Sequence, residues 1–181
     1  MKKQIVIAAL ALGAFVFGTT NAAAQTVSNP ASTTVNLKLS DVISIDAGSV
    51  AAGGIVDFNY LTSDDYNTAK NVTVANSLIV TSSKNFDVKV KAEAANFVNG
   101  TNNIPVDVLQ VQAVTGGTMG GTLKTVTLSA VDQVLVSNAT LGAKRSLSID
   151  YSISAVKAST VLLGKPAGTY TQKVKYTATA L

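Results

Sequence analysis

Phe86 to Ala94 (FDVKVKAEA) is the stretch of sequence that decides the fold class. Apolar or small side chains alternate strictly with charged ones along its whole length. Successive side chains of a β-strand point to opposite faces, so this pattern predicts a strand with one face in a core and the other in water. The core-facing set is Phe86, Val88, Val90, Ala92 and Ala94, and the water-facing set is Asp87, Lys89, Lys91 and Glu93.

The same two-residue period appears at Val35–Ile45, Leu147–Ala155 and Tyr170–Ala180. No segment has the periodicity of an amphipathic helix of about ten or more residues. Short strands at intervals of roughly 8–12 residues, joined by polar turns, are typical of an antiparallel β-sandwich. A closed barrel is the alternative architecture.

The intervals between these strands give further local predictions. Ile55–Leu61 is read as a short strand, and Thr62–Asn67 (TSDDYN) as a loop. The phase of the alternation changes at Val108-Leu109, which predicts a β-bulge. Thr115–Thr122 (TGGTMGGT) is rich in glycine and predicts a flexible loop.

The N-terminal region predicts export. Met1-Lys2-Lys3 is positively charged, and Ile5–Phe17 is apolar but too short to span a bilayer comfortably. Ala22-Ala23-Ala24 fits the small-residue rule for signal peptidase, so residues 1–24 are interpreted as a signal peptide, with a membrane anchor as the alternative. The mature chain then starts at Gln25 and has no membrane span, and we expect it in the periplasm, on the outer surface or outside the cell.

The predicted mature chain contains one domain. Residues 25–32 (QTVSNPAS) are polar and read as a flexible leader, and residues 33–181 form a single β-sandwich domain. That length buries a core without disulfides, which is compatible with the absence of cysteine.

The composition gives no support for catalysis. His, Cys and Trp are all absent, which removes the usual acid/base group at neutral pH, the thiol nucleophile and the commonest zinc ligands. The net charge is +4, or +2 once Lys2 and Lys3 are removed (4 − 2), and no run of one sign suggests a nucleic-acid patch. We therefore predict no enzyme activity, no catalytic residue, no cofactor and no metal.

Carboxylates leave two minor alternatives open. Asp64-Asp65 are adjacent in a predicted loop, and Asp41 and Asp46 bracket a short apolar stretch. Such pairs occur in glycosidases and calcium sites, although the calcium-loop pattern is absent. Turn-capping, solvated acids are the favoured interpretation.

Three segments together resemble secreted pilin-like domains. They are VNLKLSDVISI (Val35–Ile45), SLIVTSSKNFDVKVKAEA (Ser77–Ala94) and PAGTYTQKVKYTATA (Pro166–Ala180). The chain is similar to the spore-coat-protein-U-like group and to the fimbrial subunits of chaperone–usher systems. In those families a comparable turn leads into a final alternating strand.

The resemblance implies an immunoglobulin-like sandwich that lacks one strand. In fimbrial subunits the N-terminal extension of the next subunit fills the groove by β-strand addition. The implied partners are other copies or related surface subunits, and a periplasmic chaperone. The implied donor residues are Val35, Leu37, Leu39, Ile43 and Ile45, and the implied acceptor residues are Tyr170, Val174, Tyr176 and Ala178.

These observations predict a non-enzymatic structural or adhesive subunit of a bacterial cell surface. The alternative is a self-complete, monomeric sandwich in which Thr33–Ile45 is simply the first strand. Such a module would bind glycan or protein through loops 47–54, 62–69 and 115–122, with Tyr60 and Tyr66 as candidate contact residues.

Overall fold

The computed structural model describes residues 31–51 and 53–181. The predicted signal peptide, and residues 25–30 of the predicted leader, lie outside the described residues. Residues 31–41, which we call the arm, are exposed and have no regular secondary structure. The compact unit runs from Leu39 to Leu181.

Two antiparallel sheets pack face to face, which confirms the all-β prediction. The spatial order of the first sheet is β1 (Ile43–Ile45), β2 (Lys70–Ser82), β10 (Gly142–Ile153), β6 (Leu109–Val114) and β8 (Thr125–Thr127). The spatial order of the second sheet is β11 (Val174–Ala180), β3 (Phe86–Ala92), β9 (Gln133–Ala139) and β7 (Thr122–Leu123). A separate hairpin consists of β4 (Asn96–Asn99) and β5 (Asn102–Pro105).

The remaining elements are short. A 3-10 turn covers Val106–Val108, and helix α1 covers Ser63–Asn67. Helix α2 (Ala155–Lys157) continues as a π-helical turn over Ala158–Leu162. Among the described residues, no helix has the length and apolar character that a membrane crossing requires.

The core lies between the two sheets. Alternate residues of β3 are buried, as predicted from FDVKVKA, and they meet Leu78 of β2, Val111 of β6 and Ile149 of β10 in one apolar cluster. Complete burial of a side chain such as Phe86 contributes about 1.5–3 kcal/mol to folding, so these facing positions hold the sheets together.

Two short segments differ from the sequence-based predictions. Ile55–Leu61 is not a strand: Val56, Phe58 and Tyr60 pack partly on the core, but the segment pairs with no neighbouring strand. Thr62–Asn67 is not simply a loop, because α1 starts after Thr62, whose hydroxyl accepts from the backbone N–H of Asp65 in a capping box.

The predicted bulge at Val108-Leu109 is also wrong. The 3-10 turn buries both Val106 and Val108 before β6 starts, and this turn changes the phase of the alternation. It is a compact turn between β5 and β6, and not an extra residue within one strand.

The glycine-rich segment Thr115–Thr122 is anchored to the core. Met119 is buried, and the hydroxyl of Thr118 accepts from the backbone N–H of Ser146 at 3.0 Å. A Cβ on Gly117 would collide with the backbone oxygen of Ser146. Gly117 therefore permits close approach to β10, and the segment is a loop that Met119 and Thr118 hold against the sandwich.

The sandwich has one closed side and one open side. On the closed side the chain leaves β7 in one sheet, passes Lys124, and enters β8 in the other sheet. On the open side, the edge strands are β1 of one sheet and β11 of the other.

The two ends of the sandwich also differ. The helical end carries α1, α2 and the π-helical turn, next to the start of β2 and the end of β10. The arm end carries the other termini of these two strands, together with Phe86 and Ala180, and the arm joins β1 there.

Candidate partner-binding cleft

An open cleft of about 330 Å³ lies between the edge strands β1 and β11. Its apolar lining comes from both sheets: Ile45 of β1, Leu78 of β2, and Val174 and Tyr176 of β11. Ala51, Lys91, Lys175 and Thr177 complete the wall. The cleft therefore opens between the sheets on the side where the described part of the chain has no strand that connects them.

Among the described strands, none pairs with the edge of β11 that faces this open side. The N–H of Glu93 donates to the carbonyl of Lys173, and the N–H of Leu181 donates to the carbonyl of Asn85, both at 2.9 Å. In an antiparallel pair such bonded residues alternate with residues whose N–H and C=O point the other way. The backbone groups of Val174, Tyr176 and Ala178 therefore point away from β3, into the open side.

Strand β1 faces the same side with its own free edge. Ser83 donates its N–H to the carbonyl of Val42 at 2.9 Å, and Asp46 donates to the carbonyl of Ile79 at 2.8 Å. By the same alternation, the backbone groups of Ile43 and Ile45 point away from β2. Two free edges thus flank an apolar floor.

A pair of tyrosines connects the sheets beside the cleft. The hydroxyl groups of Tyr176 and Tyr151 lie 2.6 Å apart, one donating to the other. Burial raises the pKa of Tyr176 well above its ordinary value, and the neighbouring Tyr151 raises it further. The Tyr176 phenol therefore remains neutral at physiological pH, and its hydrogen bond with Tyr151 ties β11 to β10.

The arm displays apolar side chains without cover. Val35, Leu37 and Leu39 are 77%, 84% and 91% exposed, and each is separated from the next by one polar residue. The sequence predicts one strand over Val35–Ile45, but only Ile43–Ile45 forms a strand. Within residues 31–51 and 53–181, no strand pairs with the arm.

Three of the four predicted acceptor residues come together. Val174, Tyr176 and Ala178 share the inner face of β11, whereas Tyr170 precedes the strand and donates its hydroxyl to the carbonyl of Pro166. Of the predicted donor residues, Ile43 and Ile45 already pair with β2 of the same chain. Val35, Leu37 and Leu39 remain in the arm.

An anchor fixes the point where the arm leaves the sandwich. The ammonium of Lys84 lies 2.6 Å from the carboxylate of Asp41, and this contact lowers the pKa of Asp41. The backbone N–H of Val42 donates to the hydroxyl of Ser83 at 2.9 Å. Sequence reasoning missed this anchor because Asp41 and Lys84 are brought together only by the pairing of β1 with β2.

Tyr60 and Tyr66, the candidate contact residues of the binding-module alternative, pack against each other and against Lys70. Tyr60 and Tyr66 have ring centroids 5.1 Å apart, and the ammonium of Lys70 lies 5.1 Å from the Tyr60 ring centroid. The Tyr60 hydroxyl is buried without a hydrogen-bond partner, and burial raises its pKa to about 12. These rings pack on each other and do not form an open platform for a sugar.

The adjacent acids Asp64 and Asp65 do not act as a pair. Asp65 accepts from Lys70 at 2.7 Å and from the backbone N–H groups of Leu61 and Thr62, which lowers its pKa. This carboxylate is therefore occupied by the cap of α1. Within residues 31–51 and 53–181, no three Asp or Glu side chains gather as a metal site would need.

No family model matches the chain, and a search of curated proteins finds no significant match. The cleft, the arm and the anchor are the features of the described residues that bear on function.

Proposed function

We propose that this chain is an exported, non-enzymatic structural or adhesive subunit of a bacterial surface, which assembles by β-strand addition. In this proposal its sandwich is immunoglobulin-like and pilin-like. The observation that carries the proposal is the combination, in one chain, of an unpaired β11 edge beside an apolar cleft and an exposed arm with alternating apolar residues.

A strand of the arm added beside β11 would form hydrogen bonds with the backbone edge of β11 and would also cover the apolar side chains of the arm. Each new backbone hydrogen bond contributes about 0.5–1.5 kcal/mol net. Val35, Leu37 and Leu39 would leave water and enter the cleft over Val174 and Tyr176, each contributing about 1.5–3 kcal/mol if fully covered. The intervening Thr34, Asn36 and Lys38 would face solvent, as the two-residue period requires.

The anchor favours exchange between copies over insertion of the arm into its own cleft. Strand β1 begins at the arm end, where Val42 and Asp41 are held by Ser83 and Lys84. To reach its own cleft, the arm must reverse direction within Ser40 and Asp41. Insertion into the cleft of a second copy does not require this reversal.

In this proposal, the uncovered edge of β11 requires a partner during export. Unpaired strand edges promote aggregation unless they are covered. The proposal therefore includes a chaperone or a related subunit that covers β11 until assembly, and it places the mature protein in the periplasm or at the cell surface.

Size-exclusion chromatography of the chain starting at Gln25 tests the proposal. The wild type is expected to elute as oligomers, and Leu37→Asp as a folded monomer, because a charge cannot enter the cleft without a large desolvation cost. Asn36→Asp is the matched control: it adds the same charge to the solvent-facing side of the arm and should assemble like the wild type.

A monomeric wild type with the circular dichroism of a folded β-protein would contradict the proposal. It would favour the alternative, a self-complete binding module. Equal loss of assembly in Leu37→Asp and Asn36→Asp would show that charge, and not insertion of alternate side chains, controls association.

A further inference from the structure

We infer that the outer face of the first sheet binds a neutral polysaccharide. This surface, which we call the polar face, is formed by the side chains of β2, β10, β6 and β8 that point away from the core. It includes neither the arm nor the cleft, so the inference does not depend on strand addition. It gives the adhesive role a ligand of stated chemistry.

The register of the first sheet aligns polar side chains in two rows across these four strands. In the first row, Thr73 of β2 lies opposite Asp150 of β10, which lies opposite Gln112 of β6. Gln112 in turn lies opposite Thr125 of β8. The second row, two residues away along each strand, consists of Asn71, Ser152, Gln110 and Thr127. With strands about 4.8 Å apart and same-face residues about 6.8 Å apart, the rows cover about 14 Å by about 7 Å.

The side chains of the polar face present hydrogen-bonding groups that are open to a ligand. Asp150 and Ser152 are half-buried, and the other members of both rows are exposed. Within the described part of the chain, the only side-chain hydrogen bond of either row joins Thr73 to Asp150, with the hydroxyl donating to the carboxylate at 2.6 Å. The remaining amide and hydroxyl side chains can each both donate and accept.

Charge is distributed unequally between the outer faces of the two sheets. Beside the second sheet, Lys91 pairs with Asp132 and Lys175 pairs with Glu93. The two rows of the polar face contain a single charged side chain, Asp150, and neither lysine nor arginine. Charged residues are the commonest occupants of exposed positions, and their depletion is typical of the centre of a binding surface.

The composition of the polar face determines the chemical class of its partner. Nucleic acid and anionic lipid are bound by clustered lysine and arginine, and a protein interface has an apolar centre. The two rows contain neither kind of group. A neutral glycan presents hydroxyl groups that donate and accept, which matches the amide and hydroxyl side chains. Asp150 can accept from a sugar hydroxyl and would repel an acidic glycan.

Binding to neutral and sulfated forms of the same polysaccharides tests the inference. The chain starting at Gln25 carries Leu37→Asp, so that assembly does not multiply its affinity. Biolayer interferometry measures its binding to dextran, mannan and hydroxyethylcellulose, and to the sulfated form of each. We expect binding to at least one neutral polymer, and at least about fivefold weaker binding to its sulfated form. Binding to none of the neutral polymers, or tighter binding to the sulfated forms, would overturn the inference.

A double substitution in β6 tests whether the polar face is the binding surface. Gln110→Ala together with Gln112→Ala removes two exposed amides from an interior strand of the sheet. Loss of the hydrogen bonds of both amides should weaken binding to the same neutral polymer by at least about fivefold. An unchanged affinity in this variant would contradict the inference.

Two matched threonine variants control for a general effect of lost surface polarity. Thr127 and Thr179 are both exposed, and they lie on the edge strands β8 and β11 of different sheets. Thr127→Ala should weaken binding by at least about twofold, whereas Thr179→Ala should leave it unchanged. Equal effects of the two substitutions would show that the ligand does not distinguish the polar face from the rest of the surface.

Size-exclusion chromatography with the wild-type arm separates this inference from the proposed function. If Leu37→Asp binds a neutral polymer and the wild type is a monomer, the polar face stands and strand addition fails. If the wild type assembles and no neutral polymer is bound, strand addition stands and the inference is wrong. Loss of the oligomers on substitution of Gln110 and Gln112 would show that a second copy occupies the polar face, and would also overturn the inference.

Discussion

At the residue scale, the hydroxyl pair of Tyr151 and Tyr176 makes the clearest specific contact between the sheets. The two oxygens lie 2.6 Å apart, and Tyr151 is buried within β10. Removing one hydroxyl leaves the other buried without its partner. The cost of such a loss is about 1–3 kcal/mol.

We therefore expect Tyr176→Phe to lower the free energy of unfolding by about 1–3 kcal/mol, measured by urea denaturation at pH 7. Tyr170→Phe is the matched control, because its hydroxyl donates only to Pro166 in an exposed turn. It should cost less than about 1 kcal/mol. Equal costs for the two variants would contradict a structural role for the pair.

The same pair predicts how stability depends on pH. The folded-state pKa of Tyr176 is raised above the ordinary value of 10.0, so the folded protein holds this proton where the unfolded chain has lost it. The contribution is complete below pH 10 and declines as pH rises above it, by about 1.4 kcal/mol per pH unit for one tyrosine. The decline above pH 10 should be shallower in Tyr176→Phe, because that variant lacks one such group.

At the element scale, β11 combines a paired edge with a free edge. The odd-numbered residues bond to β3, and the even-numbered ones point their backbone groups into the open side. Proline lacks the N–H donor, so its effect differs between neighbouring positions.

Ala178→Pro should therefore leave the monomer folded and weaken assembly, because it removes a donor only from the free edge. Thr177→Pro removes a bond to β3 and should destabilise the fold by about 1–3 kcal/mol. Thermal unfolding and size-exclusion chromatography of both variants check this pair of expectations. Equal destabilisation by the two prolines would show that both edges of β11 are already paired.

The strands that were predicted best from the sequence are those whose two faces differ most in side-chain polarity. FDVKVKA forms β3, in which every second residue is buried. LSIDYSI lies within β10 and keeps the same alternation except at Ser148, which is buried as well. Ile55–Leu61 alternates too, yet it pairs with no strand. Two-residue periodicity indicates which side chains are buried. A strand also needs a neighbouring strand that forms hydrogen bonds with its backbone.

The cleft could be predicted only in part from the sequence. The alternation in the arm and in β11 suggested donor and acceptor residues, and Val174, Tyr176 and Ala178 do share one face. That β11 is an edge strand depends on the spatial order of the sheet, which no local pattern contains. The anchor between Asp41 and Lys84 was missed for the same reason.

At the scale of the whole molecule, the described chain combines a sandwich that has a closed side and an open side with an exposed arm. The segment from Thr122 to Thr127 crosses between the sheets and closes one side. The other side keeps two free edges beside an apolar cleft, while the arm displays apolar side chains without cover. In the proposed assembly, a strand in the cleft would pair the free edge of β11 and cover these apolar side chains.

Hydrogen exchange at the β11 edge tests this central claim most directly. The amides of Val174, Tyr176 and Ala178 are to be followed by hydrogen-exchange mass spectrometry in the wild type, Asn36→Asp and Leu37→Asp, all starting at Gln25. The account predicts slow exchange at these amides in the wild type and in Asn36→Asp, and exchange at least about tenfold faster in Leu37→Asp. Equally fast exchange in all three, with the amides of β3 protected throughout, would contradict it.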